Sequence, residues 1–441
     1  MNFAKGLNIE RYDIAGATAL ICQDLSLPMV QFAFGIRHGA WADGPGQNGA
    51  THLLFELMGR GTATKTRSEF NVALESMGSS LGVTLTQEFA LFRCVCLKRY
   101  FSPTVELLME MLREPALDPL EFDTLVQECK QELEAERDED DLLANLFFRQ
   151  YLFEDHLLGR DPAGTISNLD TVTLANIREL HQKRFHASEH LWFFGGDFDP
   201  EIALAFVEQV AKELSGSVAH LPVVAPRLHS TPKLVVVDKP ERTQIQMRIG
   251  SPLVHGLHTD VDPIWLGVVA FGGIFTSPFT REIRDVRGWS YFASASFERG
   301  QRNVAPIVLS TATGLDDAVD CLEFQFRLYE ELTKNGLELS QIEHARSYLL
   351  KRYPFSIATA GSLLIPALSN ELLGNPPSTL FDFPNRLRAV EAENVVDALK
   401  RNLSPRPSVA VVVGEADFLV PHLNKRFPKC NIEAVSHREG L

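Results

Sequence analysis

Apolar and polar positions follow the same order twice along this chain. Two apolar runs, ATALICQDL and MVQFAFGIRHG, open the first half, and KLVVVD and TQIQMRIGSPLV open the second. Polar turn residues bound each run, as is typical of β-strands. Each half closes on an apolar run, HLWFFGGD or SVAVVVGE, followed by an amphipathic stretch. The repeat indicates an internal duplication, although a strand, a glycine, an acidic residue and a helix also form a common αβ passage.

Helical periodicity fills the intervals between these runs. It predicts long helical stretches at 120–153, 315–335 and 339–353, and Thr66 with Glu69 forms a capping box before a helix from Arg67 to Met77. Grouped strands and grouped helices favour an α+β fold over a doubly wound parallel sheet. We therefore expect two duplicated halves, each a mixed or antiparallel β-sheet layered with α-helices.

The middle of the chain marks the boundary between the halves. The stretch SGSVAHLPVVAPRLHSTP contains three prolines and has neither a helical nor a strand period. It predicts an N-terminal domain at 1–217, a linker at 218–232 and a C-terminal domain at 233–441. A chain of 441 residues with 45% apolar content is large enough for two such domains or a multiple.

Charge and composition exclude several classes of protein. With 57 acidic and 42 basic side chains the net charge is −15, which opposes nucleic-acid binding and suits cationic peptides or a basic partner. The N-terminus lacks a secretory signal, and no apolar run approaches the roughly 20 residues of a membrane helix. We expect a cytoplasmic protein with six reduced cysteines and no membrane contact. A periplasmic location remains open for a chain from which a signal was removed.

A string in the first half carries candidate chemistry. In GQNGATHLLFELMGRGT, residues 46–62, the apolar spacing predicts one buried helix. His52 and Glu56 are four residues apart and therefore share a helix face. A lone histidine on an apolar helix is more often a hydrogen-bonded core residue than a metal ligand.

The wider string resembles the inverted zinc motif of the pitrilysin, insulin-degrading enzyme and mitochondrial-processing-peptidase family. In active members two histidines bind zinc and the glutamate between them is the general base. By this resemblance His52 matches the first ligand, Phe55 replaces the base and Glu56 replaces the second histidine. The family's third ligand, a glutamate in a later helix, matches Glu132, although most carboxylates in such an acidic stretch line a solvated face.

The resemblance implies a degenerate zinc site. Phe55 cannot accept a proton from water, and loss of a general base removes roughly two to four orders of magnitude in rate. We expect the isolated chain to be inactive and to hold no metal, with zinc in a partner subunit. One imidazole and two carboxylates are acceptable ligands, so a metal at His52, Glu56 and Glu132 remains an open alternative.

The second half retains a different part of the family pattern. FGGIFTSPFTREIRDVRGWSYFASASFERG, residues 271–300, resembles the segment that in active members reaches towards the zinc. Arg284, expected in a helix, and Tyr291, expected at the start of the next strand, match the residues that hold the substrate backbone and the developing oxyanion. Taken singly, a surface ion pair and a core aromatic would explain them equally well.

Together these matches predict a non-catalytic subunit of a heterodimeric zinc metalloendopeptidase, with a LuxS/pitrilysin-like clam-shell fold. Arg284 and Tyr291 would act in trans on a catalytic subunit that has an intact motif, and the substrates would be short or unfolded peptides. Two alternatives remain: a structural core subunit without a substrate, and a self-sufficient peptidase that uses His52, Glu56 and Glu132. The long glycine-rich loop of presequence-processing regulatory subunits is missing, since only Gly272 and Gly273 occupy its place.

Overall fold

The computed structural model describes residues 7–154, 156–186, 189–214, 231–253, 260–297 and 306–439. The predicted linker at 218–232 lies outside the described residues apart from its last two positions. Two six-stranded sheets, each covered by helices, account for the described chain. The α+β prediction is therefore confirmed.

The first sheet has the strand order β1-β2-β6-β3-β5-β4. Its only parallel pair is β2 with β6, and the other neighbours are antiparallel. The alternation of buried and exposed residues is weak in its central strands because both faces are covered. The strands are β1 Glu10–Ile14, β2 Ala17–Gln23, β3 Met29–Ile36, β4 Ser80–Leu85, β5 Ala90–Leu97 and β6 His190–Gly196.

The second sheet has the order β12-β7-β11-β8-β10-β9. Strand β7 lies parallel to both β11 and β12, whereas β8 is antiparallel to β10 and β11, and β9 is antiparallel to β10. The strands are β7 Lys233–Asp238, β8 Gln244–Pro252, β9 Ala293–Phe297, β10 Pro306–Gly314, β11 Val409–Gly414 and β12 Asn431–Ser436.

The two sheets repeat one topology. Strands β2, β6, β3, β5 and β4 of the first correspond in order and direction to β7, β11, β8, β10 and β9 of the second. Only the outer strand differs: β1 is antiparallel to its neighbour, whereas β12 is parallel. The closing strands β6 and β11 are the two runs that the sequence pattern paired, so the predicted duplication is confirmed.

Sixteen α-helices accompany the sheets in the described residues. The predicted capping box of Thr66 and Glu69 is present at the start of α2. The helices are α1 Ala50–Met58, α2 Arg67–Ser76, α3 Phe101–Arg113, α4 Pro119–Glu136, α5 Asp140–Phe153, α6 Ile166–Leu169, α7 Leu174–Arg184, α8 Pro200–Glu213, α9 Val261–Val268, α10 Pro278–Arg281, α11 Ala318–Asn335, α12 Leu339–Ser356, α13 Ala360–Leu372, α14 Ser378–Ala389, α15 Ala392–Asn402 and α16 Ala416–Arg426.

The helical stretch predicted at 120–153 is two helices, because a break separates α4 from α5. At this break the Lys239 ammonium donates hydrogen bonds to the carbonyl oxygens of Arg137 and Asp138, at 2.9 and 2.8 Å. It also pairs with Asp140 at 2.6 Å, in the first turn of α5. A buried cation thus satisfies carbonyls at the end of one helix and the acidic start of the next.

The chain forms two compact units, and each is discontinuous in sequence. The first comprises 1–133, 161–222 and 353–381, and the second comprises 134–160, 223–352 and 382–441. Each unit includes one helix from the other half of the sequence. Helix α13 packs on the first sheet through Leu363, Leu364 and Leu368, and α5 packs on the second sheet through Phe147 and Phe148.

One segment, Val261–Val286, has the length and hydropathy of a membrane-crossing helix. However, 61% of its apolar window is buried inside the protein. The segment is also interrupted after Gly273, where Ile274 has extended backbone angles. Burial and interruption are typical of a core element of a folded domain.

Candidate functional site

Helix α1, which carries the motif of the first half, begins at a tightly constrained turn. Gly49 has φ +93°, and a Cβ at this position would lie 2.5 Å from the carbonyl oxygen of Ala163. The buried Asp43 carboxylate accepts hydrogen bonds from the backbone N–H groups of Gly49 and Thr51 at 2.9 and 3.1 Å. A carboxylate on the free N–H groups at a helix start fixes where the helix begins.

Phe55, which the resemblance matches to a general base, is a core residue. Its side chain has 0% exposure. Its ring stacks on Phe92 with centroids 4.8 Å apart and on Phe185 at 5.7 Å. This position therefore contributes to packing of the helix on the sheet and supplies no proton acceptor.

His52 and Glu56 lie on one face of α1, as their spacing predicts. His52 Nε2 is 4.0 Å from Glu56 Oε1, and His52 Nδ1 is buried without a hydrogen-bond partner among the described residues. Burial lowers the pKa of His52, opposed by the charge of Asp161. Burial raises the pKa of Glu56, opposed by Arg60. Both shifts favour the neutral forms of the two side chains.

Glu132, on α4, lies within electrostatic range of Glu56 and raises its pKa further. A fixed cation shares this region. The Arg60 side chain, 9% exposed, pairs with Glu128 and lies 3.5 Å from Glu121. The negative charge that neighbours Glu56 is thus balanced by a guanidinium that belongs to the protein.

These residues do not fit a catalytic zinc centre. Within the described residues no three His, Cys, Asp or Glu side chains are grouped so that they could hold a metal ion. Burial raises the pKa of the nearby Cys129 to about 12, which keeps it a thiol and a poor ligand. The Arg60 guanidinium near Glu56 also opposes a divalent cation by charge repulsion.

Arg284 of the second unit lies in a short π-helical turn, Glu282–Val286, directly after α10. Its guanidinium carbon lies 3.4 Å from the centroid of the Phe275 ring, and Nη2 is 3.0 Å from Asp285 Oδ1. Nη1 is buried and has no hydrogen-bond partner among the described residues. Nη1 could donate to a carbonyl or oxyanion, but because it is buried the surrounding side chains would have to move to admit one.

Tyr291 has a side chain that is 99% exposed. It lies before β9, which begins at Ala293, so the prediction that Tyr291 begins the strand is wrong. The side chain of Ser290 accepts a hydrogen bond from the Phe292 N–H and donates to the Phe292 carbonyl oxygen. The phenol is therefore held on a turn that projects it into solvent.

Some features of these two regions have no signal in the sequence motif. There are two π-helical turns in this part of the second unit, Val269–Gly273 and Glu282–Val286, and the second contains Arg284. Such turns are frequent at functional sites. Phe275 packs against the Arg284 guanidinium, and the charge of Arg60 lowers the pKa of Glu56. An aromatic after a glycine pair and a basic residue in a helix end are too common to be singled out without the fold.

Comparison with known families connects both regions. The model described as Insulinase (Peptidase family M16) matches residues 20–163, and the Peptidase M16 inactive domain matches residues 171–349. The chain belongs to peptidase family M16. The first M16 match contains His52, Phe55, Glu56 and Glu132, and the second contains Arg284 and Tyr291.

Relatives within the M16 family cover almost the whole chain. An uncharacterized zinc protease of Streptomyces coelicolor is 22% identical over 92% of this chain and 89% of its own length. A non-peptidase homolog of Helicobacter pylori is 21% identical over 85% of this chain and 86% of its own length. The crystal structure of a peptidase M16 inactive domain from Pseudomonas fluorescens superposes with a TM-score of 0.85, at 20% identity, over 93% of this chain and 98% of that one.

Proposed function

We propose that this M16 protein is the non-catalytic subunit of a heterodimeric zinc metalloendopeptidase. It supplies Arg284 and Tyr291 in trans to a zinc-bearing subunit and forms half of the chamber in which short or unfolded peptides are cut. The observation that carries the proposal is a contrast between the two motif regions. The general-base position is a core aromatic, whereas Tyr291 is exposed and the partly exposed Arg284 side chain has a guanidinium nitrogen without a hydrogen-bond partner in the described residues.

The chemistry of the second unit supports this role. Hydrolysis of a peptide bond develops negative charge on the carbonyl oxygen, and donors aimed at that oxygen lower the barrier. Arg284 Nη1 has no hydrogen-bond partner in the described chain, and Phe275 and Asp285 hold the rest of the guanidinium. The exposed phenol of Tyr291, seven residues further along the chain, supplies a second donor.

The state of the first unit supports the assignment of zinc to a partner. Phe55 offers no base, and Arg60 is a cation beside Glu56, near where a metal would lie. The Helicobacter pylori relative, whose name describes a non-peptidase homolog, is consistent with a non-catalytic chain. A structural core subunit would need neither an exposed Tyr291 nor an unpaired Arg284 donor.

A mixing experiment tests the proposal. Hydrolysis of a fluorogenic peptide library is measured for this chain alone, for the protein from the same organism that has an intact inverted zinc motif, and for their mixture. We expect activity only in the mixture. Arg284→Ala lowers that activity by about 10²–10³-fold, and Tyr291→Phe lowers it by about tenfold or more.

Matched controls separate catalysis from assembly. Arg281→Ala removes an arginine of the same segment that is 61% exposed, and it leaves activity unchanged. Sedimentation velocity shows whether each variant still assembles with the partner. Full activity of the Arg284→Ala mixture favours the structural subunit instead. Metal-dependent cleavage by this chain alone, with zinc bound in a one-to-one ratio, favours the self-sufficient peptidase.

A further inference from the structure

A cavity in the second unit lies outside the degenerate zinc helix and borders the segment between Arg284 and Tyr291. Its volume is about 660 Å³, within the range that holds small-molecule ligands. Its walls come from α11, from the end of α16 and the turn that follows it, and from the segment before Tyr291. None of its lining residues belongs to the degenerate zinc helix.

The cavity is basic although the protein is acidic. Five cations line it against three carboxylates, those of Asp320, Glu323 and Glu330. These acids pair with Arg426 and Arg406. Lys429 has no ion-pair partner in the described part of the chain, and Arg327 has only a long contact of 3.8 Å with Glu331. Arg287 pairs with Glu282, which does not line the cavity, at 2.6 Å. Lys429, supported by the weakly paired Arg327, is therefore the cation in the cavity wall that can pair with an anion.

Aromatic rings form the rest of its wall. Trp289 and Phe324 meet edge to face at 5.8 Å, and Phe326 and Phe427 lie 5.1 Å apart. The guanidinium of Arg287 lies 3.4 Å from the Phe324 ring centroid, and that of Arg327 lies 4.6 Å from it. Aromatic rings and guanidinium planes offer flat faces against which a ligand ring can pack.

The Trp289 wall is fixed by the backbone. The Trp289 N–H donates to the Ile283 carbonyl oxygen at 3.1 Å, and the Gly288 N–H donates to the Arg284 carbonyl oxygen at 3.2 Å. Gly288 has φ +66°, a conformation that glycine adopts without strain. A wall that is ordered before binding loses little entropy when a ligand arrives.

We propose that this cavity binds a small anion that carries an aromatic ring. The anionic group lies against Lys429 and Arg327, and the ring packs on the aromatic wall that includes Trp289. The inference is independent of the proposed peptidase role, because binding here needs neither zinc nor a partner subunit.

Calorimetric titration of the full chain with phenyl phosphate tests the site. We expect saturable one-to-one binding that is tighter for phenyl phosphate than for cyclohexyl phosphate or inorganic phosphate, and no binding of phenyltrimethylammonium. Lys429→Glu and Arg327→Glu each weaken binding by about tenfold or more, since each removes a charge-assisted contact.

Lys425→Glu is the matched control, because this exposed lysine is four residues from Lys429 and does not line the cavity. We expect its affinity for phenyl phosphate to equal that of the unmodified chain. Equal affinity of inorganic phosphate and phenyl phosphate overturns the aromatic part of the proposal. Unchanged affinity in Lys429→Glu and Arg327→Glu, or no saturation at millimolar phenyl phosphate, overturns the site.

Discussion

At the scale of single residues, Phe55 is part of the core of the first unit, at the position that the motif resemblance matches to a general base. Phe55 lies between Phe92 and Phe185, and its ring excludes water from the face of α1 that packs on the sheet. A glutamate in the same place would lose its hydration without a partner in this aromatic cluster. An aromatic ring therefore suits the packing at this position, and a carboxylate does not.

Truncation of Phe55 measures how much its packing contributes to stability. We expect Phe55→Ala to lower the free energy of unfolding by about 3–5 kcal/mol, because it leaves a cavity in a close-packed core. Urea denaturation followed by circular dichroism provides the measurement. Phe355→Ala, at a position that is 79% exposed, serves as the control and changes stability by less than about 0.5 kcal/mol. An equal loss in both variants would contradict the buried role of Phe55.

His190 makes stability depend on pH. It is fully buried at the start of β6, and burial lowers its pKa to about 4. In the unfolded chain its pKa is about 6.5, so below that pH the unfolded state binds a proton that the folded state excludes. Stability from this residue is therefore lost as pH falls from about 6.5 towards 4.

The comparison of wild type with His190→Phe isolates this effect. Between pH 7 and pH 5 we expect wild type to lose about 2 kcal/mol more of its unfolding free energy than the variant. Urea titrations at the two pH values provide the four free energies needed. A stability difference that stays the same at both pH values would mean that His190 is not held neutral by burial.

The sequence predicts the placement of residues that belong to the motifs, and it does not predict the residues that contact them. The spacing of His52, Phe55 and Glu56 is enough to place them on one helix, and the structure agrees. Arg60 and Phe275 were not predictable in their roles, because their partners Glu128 and Arg284 meet them only through folding. The metal content and the action of Arg284 and Tyr291 on a partner stay predictions.

At the scale of elements, the start of α1 determines where the motif lies. Asp43 is seven residues before the first turn of the helix and still occupies its free N–H groups. It also accepts from the Thr51 hydroxyl at 2.5 Å. A side chain from a preceding loop thus replaces the usual cap, which Gly49 cannot provide.

Removal of this carboxylate should weaken the helix start. We expect Asp43→Ala to cost about 1–3 kcal/mol of unfolding free energy, since it leaves two backbone donors buried and unpaired. Thermal and urea denaturation both report the loss. Asp397→Ala removes an exposed carboxylate from α15 and acts as the control. Equal stability of the two variants would contradict the capping role of Asp43.

Sequence patterns predict elements whose cause is local, and they miss boundaries that depend on distant residues. The strand pairs at the start of each half and the closing strands β6 and β11 were predictable, because burial imposes a local pattern of apolar residues. The break between α4 and α5 was not, since it depends on Lys239, which is about a hundred residues away. The π-helical turns around Arg284 likewise have no periodic signal in the sequence.

At the scale of the whole molecule, the duplicated sheets do not each use only their own half of the chain. One face of the first sheet presents Leu20, Ala33 and Phe193 to α13, which comes from the second half of the sequence. In the same way α5, from the first half, covers valines of the second sheet. Each sheet therefore needs residues from both halves to bury its apolar faces.

Because each sheet is covered by a helix from the other half of the sequence, we predict that an isolated half does not fold fully. Residues 1–217 expressed alone should not unfold cooperatively and should bind a hydrophobic dye, because α13 is missing from the sheet face. Coexpression with residues 218–441 should restore a soluble complex that binds no more dye than the intact chain. Urea denaturation, dye fluorescence and gel filtration check these outcomes. Cooperative unfolding of the lone fragment would show that α13 is dispensable for its sheet.

The exchange of helices also constrains how the two copies diverge by mutation. A substitution that enlarges a side chain on α13 must be accommodated by β2, β3 or β6, which lie in the other half of the gene. Changes on α13 must therefore be compensated in the first half of the gene, and changes on α5 in the second half. The two halves are thus coupled in their mutations through these two helices.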